Sequence, residues 1–68
     1  GFETVTDTAY HDGTGTVPVV GDIVYSDSAG TSPLTTDTFF TFLDGSTQKY
    51  LRTSASTAGV VGVIDACE

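Results

Sequence analysis

The sequence predicts an all-β domain, a small antiparallel sandwich or open barrel of about five short strands. Three observations carry that expectation. Thirteen of the 68 residues are threonine, and β-branched side chains sit well on a pleated surface while losing rotamer freedom in a helix. No window repeats apolar residues at the i, i+3, i+4 spacing that would give a helix one buried face. Short alternating runs are separated instead by clusters of Gly, Asp, Ser and Pro, the residues that turn a chain.

The first run, "FETVTDTAY" from Phe2 to Tyr10, reads as a single edge strand in which Phe2, Thr4, Thr6, Thr8 and Tyr10 alternate against Glu3, Val5, Asp7 and Ala9. "HDGTGT" follows as a flexible turn and puts His11 in an exposed position. Pro18 fixes φ, and Gly21-Asp22 turns the chain into "DIVYSD", where Ile23 and Tyr25 face one way and Val24 the other. Gly30 and Pro33 set the exit from that strand. "DTFFTFL" sets Phe40 and Phe42 together, with Phe39, Thr41 and Leu43 opposite. It leads through Asp44-Gly45-Ser46 into "TQKYLRT", and Asp-Gly between two alternating runs is the strongest short-range hairpin signal. The last run, "GVVGVID", is apolar almost throughout, as expected of a central strand buried on both sides or lying at a subunit contact. Gly62 inside it marks a bulge or a close backbone approach.

Residues 1–68 make one small β domain, and a chain of this length buries only about 60% of its unfolded surface. Disulfides, a metal or partner subunits commonly make up such a shortfall. Cys67 is the only cysteine, which excludes a disulfide within the chain and leaves an intermolecular one open. Cys67 with the single His11 cannot complete a four-ligand zinc site. Association with other chains, or embedding in a longer polypeptide, is what remains. The start at Gly1 and the lack of methionine read as a module or processed fragment of a longer protein. Nine acidic residues against two basic ones give a net charge of -7, which repels phosphate backbones and anionic lipid. Nucleic acid is therefore not an expected partner. Nor is membrane insertion, because no apolar run approaches the ~20 residues of a spanning helix.

A Ser, His and Asp set can be assembled on paper, but thirteen threonines and six serines make such a match uninformative. No G-x-S-x-G elbow is present, and the chain is read as a non-enzyme with no cofactor. Cys67 has no basic neighbour to lower its pKa and reads as a small buried hydrophobe closing the last strand. Asp7, Asp12, Asp22, Asp27, Asp37, Asp44 and Asp65 offer hard oxygen ligands, yet none of these turns follows the calcium-loop pattern. Asp and Gly are ordinary turn formers, so calcium is kept only as a third reading. Tyr10, Tyr25 and Tyr50 are candidate platforms for a sugar, in a chain with no Trp and no Asn.

"YHDGTGTVPVVGDIVYSDSAGTSPL", Tyr10 to Leu34, followed by "YLRTSASTAGVVGVIDAC", Tyr50 to Cys67, resembles a short β-rich module of phage tail-fibre and other virion proteins and of secreted surface proteins of Bacteroidetes. The matching positions are Pro18, Gly21, Asp22, Val24, Tyr25, Asp27, Gly30 and Leu34, then Tyr50, Gly59, Val60, Val61 and Cys67. They are turn and core positions, so the resemblance implies a scaffold and no catalytic set. The "GD-x-V" turn and the closing "VVGVID" strand are also similar to those of small phage head-decoration proteins, which implies stability drawn from subunit contacts.

The resulting expectation is a structural or interaction module on a virus particle, of tail-fibre or capsid-decoration type, stabilised by self-association. Its partners would be further copies of itself or other virion proteins, and its location the virion or the extracellular space. Phe39, Phe40, Phe42, Val60, Val61 and Val63 are the expected core or subunit-contact residues. Pro18, Gly21, Asp22, Gly30, Asp44 and Gly45 are the expected structural turns. The alternative is a secreted bacterial adhesin or carbohydrate-binding module directed at a cell-surface glycan, with the turns His11 to Thr16 and Ser54 to Ala58 as the places for binding.

Overall fold

The computed structural model describes residues 1–4 and 8–67; Val5, Thr6 and Asp7 of the expected first strand, and Glu68, lie outside the described residues. The described chain is all-β. Its strands are β1 (Phe2–Glu3), β2 (Thr8–His11), β3 (Val24–Tyr25), β4 (Phe39–Asp44), β5 (Thr47–Thr53) and β6 (Val61–Ala66). They form two three-stranded sheets, ordered β1-β2-β3 and β4-β5-β6, and every pairing is antiparallel.

Isolated bridges join the two sheets at both seams. Thr4 pairs with Phe42 of β4, and Ile23, just before β3, pairs with Val60, just before β6. The second seam is reinforced by Gly21 N–H to Val61 C=O at 2.9 Å, Val61 N–H to Asp22 C=O at 2.8 Å and Val24 N–H to Gly59 C=O at 2.9 Å. The sandwich is thus nearly a closed barrel, whose edges are paired over part of their length.

Within the described strands, the buried apolar side chains are Phe2, Ala9, Val24, Phe42, Leu51 and Val61, one from each strand in chain order. Each fully buried Val, Leu or Phe contributes about 1.5–3 kcal/mol, so no single strand supplies the core. Phe42, Leu51 and Val24 are 0% exposed. The Phe2 ring meets Phe42 edge-on at 5.6 Å and Phe40 at 6.2 Å, tying the two sheets together through aromatic pairs.

The stretch from Phe2 to Tyr10 is not one edge strand. It doubles back, pairing Phe2 with Ala9 and Glu3 with Thr8, which accounts for the sixth strand. Period-2 alternation along a single strand would put Phe2 and Ala9 on opposite faces; reversing the chain brings both into the core.

The Asp44-Gly45 hairpin forms as expected. Asp44 pairs with Thr47, leaving Gly45-Ser46 as a two-residue loop. Gly45 has φ 64° and Ser46 is not among the positive-φ residues, the pattern of a type II′ turn with Gly at its first central position. Gly62 is the bulge: Arg52 pairs with Val63 while Thr53 pairs with Val61.

Of the two readings of the last strand, a central strand buried on both sides is not what forms. β5 is central, and β6 is an edge strand with Val63 exposed. Its apolar run serves separate tasks, since Val61 enters the core while Val60 bridges to Ile23. Cys67 is exposed rather than buried; it lies just past β6, where its N–H donates to Gln48 C=O at 2.9 Å.

Candidate interaction surface

The sheet β4-β5-β6 has one face on the core and one outside. Alternation from the buried Phe42 sends Phe40 inward and Phe39, Thr41 and Leu43 outward along β4. Across the strands, Phe39 stands opposite Arg52 and Arg52 opposite Val63; the next outer row is Thr41, Tyr50 and Asp65. Phe39 is 66% exposed and Val63 47% exposed. Among the expected contact or core residues, then, Phe42 and Val61 lie in the core, Phe40 and Val60 are half-buried, and Phe39 and Val63 face out.

Arg52 organises this face. Its guanidinium carbon lies 5.5 Å from the centre of the Phe39 ring, within range of a cation-π contact. Its Nε donates to Asp37 Oδ1 at 2.7 Å, and its Nη2 donates to the same oxygen. Tyr50 completes the cluster, with its ring tilted 47° to Phe39 at 5.9 Å. Asp37 has φ 50°, an uncommon conformation for a residue with a side chain, and its N–H is held by Ser54 C=O at 3.0 Å. An open groove of about 280 Å³ runs beside this pair, bounded by Asp37, Arg52, Ser54, Ala55, Gly62 and Val63.

The other basic residue is also paired, Lys49 Nζ to Asp44 Oδ2 at 2.7 Å. Both basic side chains therefore face carboxylates, Lys49 that of Asp44 and Arg52 that of Asp37.

The turn Pro18–Gly21 presents a second apolar knuckle, with Val19 and Val20 exposed and Pro18 buried. Asp22 closes it: Oδ2 accepts Val19 N–H at 3.0 Å, and Asp22 N–H donates to Val19 C=O at 3.0 Å. Gly21 has φ 97°. Gly30, at φ 73°, belongs to a turn organised by Asp27, whose carboxylate accepts Thr31 N–H and Ser32 N–H, each at 3.0 Å. The Thr31 hydroxyl also donates to Asp27, and this bond foremost holds the carboxyl below its ordinary value of 3.8.

His11 is not in an exposed turn. It ends β2 with its side chain only 6% exposed and its ring edge-on to Phe2 at 5.6 Å. Its Nδ1 accepts Gly13 N–H at 3.1 Å and lies 3.2 Å from Asp22 Oδ2. That nitrogen serves one partner at a time, accepting when bare and donating to Asp22 when protonated. A Cβ on Gly13 would collide with the Asp22 carboxylate, so the His11 turn packs against the strand entry. Asp12 completes the dock by accepting Ile23 N–H at 2.8 Å.

Among the described residues no three His, Cys, Asp or Glu side chains gather as a metal set. Asp12, Asp22 and Asp27 instead accept backbone N–H groups in turns. Of the two turns expected to bind, Ser54 and Ala55 line the groove, while the His11 turn is packed against Asp22. Sequence reasoning missed Asp37 and Arg52 as a pair, because they are fifteen residues apart.

Comparison with protein-family models, curated proteins and solved structures returned no match.

Proposed function

We propose that this chain is a non-enzymatic structural module that works by self-association, displayed on a virus-particle surface as a tail-fibre or capsid-decoration element. The observation that carries the self-association is the exposed row Phe39–Arg52–Val63, in which two large apolar side chains flank a cation already neutralised by Asp37. Exposed apolar clusters with polar rims mark contact surfaces, and a core built from one side chain per strand gains stability from covering them. The viral setting rests on the resemblance of the Tyr10–Leu34 and Tyr50–Cys67 stretches to virion modules.

Sedimentation velocity across a range of concentrations tests this reading. The chain is expected to associate, and Phe39→Lys to shift it toward monomer without lowering the melting temperature of the dilute chain. A monomer at every concentration sinks the proposal. Capsid or tail genes beside the parent reading frame are the expected genomic setting; their absence removes the viral part.

A second reading, an extracellular glycan-binding module, is favoured by one feature: the exposed Phe39 ring with Tyr50 beside it, next to a groove carrying Asp37, Arg52 and Ser54. Aromatic faces and convergent polar groups are what a sugar site needs. A glycan array probed with the purified chain decides it, since Phe39→Ala should abolish any signal.

A further inference from the structure

The backbone of β6 holds an unused edge. Val61 turns its N–H and C=O away from β5 and spends both on Asp22 and Gly21. Val60 C=O accepts from Ser54, and Cys67 N–H donates to Gln48, so those groups point toward β5. Backbone groups alternate in direction along an antiparallel strand. Counting back from Cys67, Asp65 and Val63 face β5, while Ile64 and Ala66 face away. In agreement, Ala66 N–H is taken by the Asp65 side chain, Oδ1 at 2.8 Å. Past Val61, β6 is paired with no described strand except β5. Ile64 thus offers an open donor and an open acceptor on a short apolar edge, the kind of template that recruits another strand.

We propose that this edge pairs antiparallel with the β6 edge of a second copy, with the two-fold axis passing through Ile64. This rests on the self-association reading and adds a second contact to it, since edge pairing through β6 leaves Phe39, on β4, uncovered. A two-fold contact is self-complementary by construction, and the charges on β6 select its register. An axis through Asp65 would set the two Asp65 carboxylates directly opposite each other, which is destabilising. An axis at a peptide bond would oppose an outward residue to an inward one and form no ladder. With Ile64 on the axis, the two Ile64 residues exchange hydrogen bonds and each Val63 faces Asp65 of the second copy. Asp65 of the second copy then extends the outer row Phe39–Arg52–Val63, bringing an acid into the row that holds Arg52. The two outer faces merge into one continuous sheet, with both exposed Val63 side chains beside the axis.

Two measurements test the register and the edge. In a Cys67→Ser background, a Val63→Cys chain mixed with an Asp65→Cys chain should form a disulfide between the two variants on mild oxidation. Residues 63 and 65 would form a non-hydrogen-bonded pair, whose Cα separation of about 4.5 Å suits the bond. Neither variant should cross-link to itself. Both positions are exposed, so the substitutions spare the core. In the wild-type chain, the Ile64 amide proton should exchange freely when dilute and become protected over the concentration range in which sedimentation detects dimer. Self-linking of Asp65→Cys in place of the mixed product overturns the register. Association without Ile64 protection overturns the edge and leaves the self-association reading intact, whereas a monomer at all concentrations removes both.

Discussion

Val24 donates its N–H to the carbonyl of Gly59 at 2.9 Å across the seam between β3 and β6, and Gly59 is buried there with φ 76°. A Cβ at residue 59 would stand 2.9 Å from both the Val24 carbonyl oxygen and Pro33 Cβ. Gly59→Ala combines a disfavoured left-handed backbone with overpacking, and should cost roughly 2–4 kcal/mol in denaturant melts. Gly45 has a similar φ of 64° but open space around it. Gly45→Ala carries the backbone penalty alone and should cost about 1–2 kcal/mol. Equal losses at the two sites would show that the seam does not need its close approach.

The first and last phenylalanines of β4, Phe39 and Phe42, separate surface from core. Phe42 is 0% exposed and touches Phe2 across the sandwich, while Phe39 stands in solvent beside Arg52. Phe42→Ala should cost about 3–5 kcal/mol. That is much of the stability of a domain this small, at roughly 0.05–0.15 kcal/mol per residue, so the variant should be largely unfolded by circular dichroism. Phe39→Ala should leave the melt of the dilute chain within about 0.5 kcal/mol of wild type, and its effect should appear in association. A large loss from Phe39→Ala in the dilute chain would assign that residue to folding.

Asp27 gives a pH dependence with a definite sign. The Thr31 hydroxyl above all, with the Ser32 and Thr31 N–H groups, holds its carboxyl below the ordinary value of 3.8. Near and below that value the folded chain binds fewer protons at Asp27 than the unfolded chain, so acid favours unfolding. The contribution is fully present above 3.8 and is lost as pH falls through the lower folded value. Asp27→Asn should therefore melt below wild type at neutral pH, with the gap closing in acid. A gap that does not change with pH would show that the carboxylate charge contributes nothing.

What could be read from the sequence divides along local and non-local lines. The β4–β5 hairpin and the Gly62 bulge are local, encoded by a Gly in a turn and a Gly in a strand, and both appear as expected. The doubling of Phe2–Tyr10 is not, because polar residues on both faces, Thr4, Thr6 and Thr8 on one and Glu3 and Asp7 on the other, leave the alternation uninformative; only the shared core of Phe2, Ala9 and Phe42 selects the reversal. His11 was misplaced for the same reason, since its cover comes from Phe2 and Asp22, residues nine before and eleven after it. The alternation along β4 separated Phe39 from Phe42 but carried no sign. The facing residues Leu51 and Val61 decide which side is inside. Of the outer face, Phe39 and Val63 were within reach, while the Asp37–Arg52 clamp depends on the loop before β4 folding against the end of β5.

That loop is held by Thr53, a buried polar residue 2% exposed. Its hydroxyl donates to Thr35 C=O at 2.8 Å and accepts Thr38 N–H at 2.8 Å, while its own N–H donates to Thr38 C=O at 3.0 Å. Valine has nearly the shape of threonine but neither function. Thr53→Val would leave a carbonyl and an N–H without their partner, at a cost of about 2 kcal/mol. Thr53→Ser keeps both hydrogen bonds and loses one methyl group, worth about 0.8 kcal/mol. Chemical denaturation of the two variants should therefore rank valine below serine, the reverse of the order apolar burial alone dictates. The same loop carries Asp37, so Thr53→Val should also loosen the Asp37–Arg52 pair, seen as loss of a distinct Arg52 Nε proton resonance at low temperature. A valine variant as stable as wild type would mean that the hydroxyl contributes no net stability and that packing alone positions the loop.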